Sequence, residues 1–121
     1  MFLHVEKAEV VNTPSWVEKL QGIIQEHYYK KLSLKELSKE AGVHPVHLSR
    51  QFPKYFHVSL HYYISKVKIE KATQMLKDNK YALYEVASQC GFSDSSHFNR
   101  CFRKITGLNP SAYRKMISGI V

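Results

Sequence analysis

The chain has 121 residues, with 18 lysines and arginines against 10 acidic residues and a formal charge of +8. That length suits one domain or two very small ones, and a unit of this size buries roughly two-thirds of its unfolded surface. An apolar content of 44% with 23% charged residues excludes disordered and collagen-like sequence, and no apolar run approaches the ~18 residues of a membrane span.

Residues 1–12 read as a linker or N-terminal arm, and MFLHVEKAEV, with three charges in ten residues and no apolar stretch, does not read as a secretory leader. Thr13-Pro14-Ser15 offers a helix start, with Ser15 and Glu18 at capping-box spacing. Trp16, Leu20, Ile23, Ile24 and His27 then recur at helical spacing to about Tyr29. Ser33 and Glu36 form a second capping box before LKELSKEA, which Gly42 stops. A third helix starts near His44-Pro45 and carries Val46, Leu48 and Phe52. Pro53 lacks a backbone donor, so this helix is expected to kink or end there. Ser59 begins a long fourth helix to about Asp78, with Leu60, Tyr63, Ile64, Val67, Met75 and Leu76 as its apolar stripe. A fifth runs from Leu83 to Cys90 before Gly91, and a sixth from Ser95 to Thr106 before Gly107. Asn109 and Pro110 open a short seventh. Seven helices and no strand signal make the fold class all-α.

The second half of the chain repeats the first. Leu34, Leu37, Ser38, Ala41 and Gly42 match Leu83, Val86, Ala87, Cys90 and Gly91 at an offset of 49. Leu48, Arg50, Phe52, Lys54 and Tyr63 match Phe98, Arg100, Phe102, Lys104 and Tyr113 at an offset of 50, the slip falling in the turn after the glycine. Each unit reads as helix, glycine turn, helix, which is helix-turn-helix organisation. The expected division is a first helix-turn-helix subdomain at 13–57, a connecting helix at 58–79 and a second subdomain at 80–121.

Charge follows the repeat. Residues 1–30 carry three lysines and four glutamates, a net of −1, whereas residues 31–121 carry 15 basic and 6 acidic groups, a net of +9. Such a field attracts polyanions. In each unit's second helix, Leu48 with Phe52, or Phe98 with Phe102, packs inward. Val46, Ser49 and Arg50, and likewise Ser95, Ser96, Asn99 and Arg100, then face outward with the chemistry of base readers. Arg pairs with guanine O6 and N7, Asn with adenine N6 and N7, and Val46 suits a thymine methyl group. Lys54, Arg103 and Lys104 follow where they would hold phosphates, and His97 is assigned the same role.

These residues resemble the AraC/XylS class of bacterial transcription regulators. The likeness is strongest in Ala87, Gly91-Phe92, Asp94, Phe98, Arg100, Phe102, Arg103-Lys104, Gly107, Pro110, Tyr113 and Arg114, and covers about residues 15–115. The resemblance implies two helix-turn-helix subdomains joined by a long helix near 59–78. It also implies that the helices near 45–52 and 95–105 enter successive major-groove segments of a double-stranded DNA operator. RNA polymerase is the implied second partner, the cytoplasm and its nucleoid the implied location, and an effector or dimerisation domain outside this chain is common in the class. Departures from the pattern are Pro53 in place of Arg103's counterpart, predicting a shorter first reader, and His57 and Leu60 in place of Gly107 and Pro110, predicting a different approach to the connecting helix.

Rival readings have less in their favour. His57 with His61, and His97 with Cys101, stand four apart as metal ligands can, but neither pair is completed at finger spacing, so no metal or other cofactor is expected. Cys90 and Cys101 read as packing or surface groups. Convergent carboxylates, a nucleophile beside a base, and a phosphate-cradling glycine loop are all missing from the pattern, so no enzyme is expected. The remaining alternative is a helical protein-interaction module with nonspecific nucleic-acid affinity, presenting Trp16, Tyr28, Tyr29, Tyr62 and Tyr63.

Overall fold

Most helices in this chain start on a side-chain acceptor, and four turns close on a left-handed residue. The computed structural model describes residues 13–119, so the arm assigned to 1–12 lies outside the described residues. Those residues form seven α-helices and no strand: α1 (Ser15–His27), α2 (Leu34–Ala41), α3 (Pro45–Phe56), α4 (Leu60–Met75), α5 (Leu83–Gln89), α6 (Ser95–Thr106) and α7 (Pro110–Ser118). Ser33 Oγ accepts the Glu36 N–H at 3.1 Å to start α2, and Ser59 Oγ accepts that of Tyr62 at 3.1 Å to start α4. Asp94 Oδ1 accepts from His97 at 2.7 Å to start α6, and Asn109 Oδ1 from Ala112 at 2.8 Å to start α7. At α5, Ala82 has no acceptor, and the Glu85 carboxylate instead accepts the Ala82 N–H at 2.8 Å. The start of α1 departs from expectation. Pro14 takes the cap position without a side-chain bond, so Ser15 is already helical and cannot cap.

Four turns close on positive φ: Gly42 at 73°, His57 at 64°, Gly91 at 86° and Gly107 at 86°. His57 therefore corrects the expectation of a different approach to α4. It adopts the left-handed conformation of Gly107, and its N–H bonds the Pro53 carbonyl at 2.9 Å, as Gly107 bonds that of Arg103 at 2.8 Å. Pro53 brings a second correction. The helix neither ends nor shortens there, and α3 and α6 are both 12 residues long. Pro53 and Ser49 are both exposed, so the Ser49 carbonyl left without a helical donor is open to water. Meanwhile Phe52 and Phe56 stack with centroids 4.0 Å apart and pack edge-on to Tyr63 at 5.5 and 4.9 Å, which anchors the last turn.

The helices enclose two cores that share α4. Trp16, Leu20, Ile24, Leu37, Leu48, Phe52 and Phe56 form the first with Tyr63, Ile64 and Val67 of α4. Val86, Ala87, Cys90, Phe98, Phe102 and Tyr113 form the second with Ile69, Ala72 and Leu76. Tyr28 packs against both. α4 has 16 residues, about 24 Å, and is shorter than expected. Just past its end, at Asp78, the chain turns, and Asp78 Oδ1 accepts the Lys80 N–H at 3.0 Å. Arg114 of α7 clasps the same end, donating to the Leu76 carbonyl at 3.2 Å and the Asp78 carbonyl at 3.3 Å.

Lys68 lies at the middle of α4 and is only 8% exposed. Its ammonium donates to the Tyr28 carbonyl at 2.6 Å and the Lys30 carbonyl at 3.0 Å, just past the end of α1. It also reaches the Cys90 and Gly91 carbonyls, each at 3.5 Å, just past the end of α5. One cation thus serves two helix C-termini, where unbonded carbonyls and the helix dipole both favour positive charge. Gly91 makes room for it: a Cβ there would strike the Lys68 ammonium and come within 2.9 Å of the Tyr28 oxygen. At Gly42 a Cβ would meet nothing within 4 Å.

Unfolding in urea should separate these turns. Gly42→Ala is expected to cost about 1 kcal/mol, for the left-handed backbone alone. Gly91→Ala should cost about 3 kcal/mol, since overpacking adds to that strain. Equal losses would refute the crowding at Gly91. His57→Gly should raise stability by about 0.5–1 kcal/mol by relieving the one non-glycine left-handed residue among those described.

Candidate nucleic-acid interface

The second helix of each unit, α3 or α6, has an inward stripe and an outward face in the same register. On α3, Leu48, Phe52 and Phe56 are buried while Val46, Ser49, Arg50 and Lys54 are exposed. On α6, Phe98 and Phe102 are buried while Ser95, Ser96, Asn99, Arg100, Arg103 and Lys104 are exposed. The offset of 50 holds from the caps, His44 and Asp94, through to His57 and Gly107, so the two outward faces correspond residue by residue. α3 and α6 together carry five cations and no carboxylate. Lys54 on α3, and Arg103 and Lys104 on α6, stand in the last helical turns, where the dipole favours positive charge.

Among the described residues the one ion pair is Lys80 with Asp78 at 3.8 Å, at the far end of α4. Arg50 and Arg100 are thus not neutralised within the bundle, and their guanidinium groups point from exposed positions. His97 stands apart from the other residues assigned to this face. It is half-buried, with its ring edge-on to Phe92 at 5.3 Å. Its counterpart His47, absent from the residues expected on this face, is exposed on α3. The signal was the same offset of 50, which aligns His47 with His97.

The two cysteines are held by packing. Cys90 is fully buried, with Sγ 3.8 Å from Met75 Sδ, and burial pushes its thiol up to about 11. Burial also raises the half-buried Cys101, against the opposing pull of Ser65, Arg100 and Lys104. Neither is a ready thiolate near neutral pH. Of the aromatic residues that an interaction module would present, Trp16 and Tyr63 lie in the first core, Tyr28 and Tyr62 are half-buried, and Tyr29 is exposed.

Comparison with known proteins agrees with this architecture. A helix-turn-helix domain family matches residues 37–116. The chain is 31% identical over 99 residues to the HTH-type transcriptional regulator GbdR of Pseudomonas aeruginosa, covering 82% of this chain and 27% of GbdR. It therefore spans about a quarter of that relative's length. The C-terminal domain of AraT, a response regulator from Geobacillus stearothermophilus, superposes with a TM-score of 0.82 at 26% identity, covering 87% of this chain and 88% of that one. The DNA-binding domain of the global transcriptional factor AdpA, solved in complex with a target DNA, shares the fold with a TM-score of 0.80 at 22% identity, covering 84% and 92%. Tandem helix-turn-helix units in one register, with the matching family domain laid across both, place this chain in the AraC family of helix-turn-helix transcription regulators.

Proposed function

We propose that the chain binds double-stranded DNA sequence-specifically, with α3 and α6 in two successive major-groove segments. The observation that carries this reading is the pair of equal helices, set in the same register, whose outward faces carry five cations and no carboxylate. The DNA complex of AdpA, which shares the fold, supports DNA as the partner. In this reading Val46, Ser49, Arg50, Ser95, Ser96, Asn99 and Arg100 meet base edges, and Lys54, His97, Arg103 and Lys104 meet phosphates. The readers belong to units at 13–57 and 80–121 joined through 58–79. Because both lie in one chain, a single protomer takes an asymmetric site, its two blocks about 10–10.5 base pairs apart. The same reading makes the chain a regulator of transcription that acts with RNA polymerase, under an effector or dimerisation domain beyond this chain.

Selection of bound duplexes from a random pool at about physiological salt should enrich two short blocks one helical turn apart. Enrichment of one block would confine base reading to one unit, and none would favour the interaction module. Arg100→Ala should cost about 1–3 kcal/mol and relax preference at one base position. Arg103→Ala should weaken every sequence alike and lower the slope of log affinity against log salt by about one. The opposite pattern in the two variants would exchange their roles.

A further inference from the structure

The two units touch each other through very little besides α4. Tyr28 bridges their cores, and beyond it they face one another across an open cleft of about 480 Å³ lined by Lys31, Leu32, Ile64, Ser88, Phe92 and His97. At the foot of that cleft the Lys68 ammonium ties the chain after α1, through Tyr28 and Lys30, to the turn after α5, through Cys90 and Gly91. The tie meets the second unit at the turn from which α6 departs. A change of angle there carries the whole reader with it.

From this geometry we infer that Lys68 is a positioning residue that fixes the spacing of the two DNA blocks the chain accepts. The inference rests on both α3 and α6 reading DNA. Leverage explains why a single buried cation would matter so much. With α4 about 24 Å long over its 16 residues, a bend of about 16° at Lys68, midway along it, displaces the far end by about 3.4 Å, the rise of one base pair. Long helices bend readily by that amount, so α4 alone does not define the register. The ammonium's short bonds to the Tyr28 and Lys30 carbonyls, with the Cys90 and Gly91 carbonyls 3.5 Å away on the second unit, oppose that bend. No other buried ammonium is found among the described residues. The Lys68 ammonium bonds carbonyls of Tyr28, Lys30, Cys90 and Gly91, none of them assigned to DNA, so its effect would come through α6's placement.

The experiment is a set of duplexes carrying the two selected blocks with the spacer lengthened or shortened by one and two base pairs, titrated with the full chain. The wild type should prefer one spacing by roughly 100-fold, the gain expected when two linked sites engage together. Lys68→Met, checked for helix content and a cooperative melt, should keep its affinity for a single block and flatten the spacing preference to about threefold or less. Lys68→Arg, which keeps the charge and several donors, should restore the sharp preference. A folded Lys68→Met with the wild-type spacing preference overturns the inference, whatever its melting temperature. If the Met variant does not fold, Lys68→Gln keeps two N–H donors and serves in its place, and an unfolded Gln variant would assign Lys68 to folding alone. A wild type that shows no two-block site would instead defeat the reading by both helices.

Discussion

Everything in this fold turns on a charge buried without a counter-charge. Burial by itself would drive the Lys68 ammonium towards its neutral form, and it does lower the pKa from the ordinary lysine value. What holds the site together is the negative ends of two helices. The carbonyls after α1 and after α5 have no helical donors of their own, and left in a buried joint they would each cost free energy. Brought to one point they give the ammonium an environment of oxygens, and the ammonium gives them donors. An apolar side chain of the same length would satisfy neither party, and a carboxylate partner would add a second buried charge. The Phe92 ring, 6.0 Å from the ammonium, closes the remaining side.

Much of this architecture is legible in the residues, and the exceptions have physical causes. Helices that end on Gly42, Gly91 and Gly107 can be read directly, because glycine in that position has one strong meaning. His57 takes the same left-handed conformation without advertising it, and only the offset of 50 exposes the equivalence. Pro53 misleads in the other direction. Its local preference argues against a helix, but Phe52, Phe56 and Tyr63 outweigh it by packing, a tertiary effect no local rule contains. Lys68 is the most instructive case. A lysine in a helix ordinarily reads as solvated surface, yet Ile64, Lys68 and Ala72 stand four apart on one face, and a charge within an apolar row was the available sign. The outward faces of α3 and α6 were readable because inward phenylalanines fix the register. In the proposed complex, which of those side chains meets a base and which a phosphate depends on the docked pose, and that is not encoded in spacing along one helix.

The repeat has kept its frame and changed its outward faces. The left-handed turns and the edge-on pairs Phe52–Tyr63 and Phe102–Tyr113 correspond between the units, while Val46, Ser49 and Pro53 stand where Ser96, Asn99 and Arg103 stand. α6 thus presents more donors and more charge than α3. Arg50 with Arg100, and Lys54 with Lys104, are the members retained on both. Such divergence suits an asymmetric ligand, since two identical faces would see the same sequence twice.

Tyr28 and α4 belong to both cores, which bears on how the molecule comes apart. Loss of either unit would strip the cover from half of α4 and from one side of Tyr28, exposing apolar surface that the surviving unit cannot bury by itself. A chain with two small cores of this kind, each too small to be robust alone, gains its stability jointly. Amide protons deep in the first core and deep in the second would then exchange through the same global opening, at the same free energy. The duplicated sequence is thus expected to unfold as a single cooperative body.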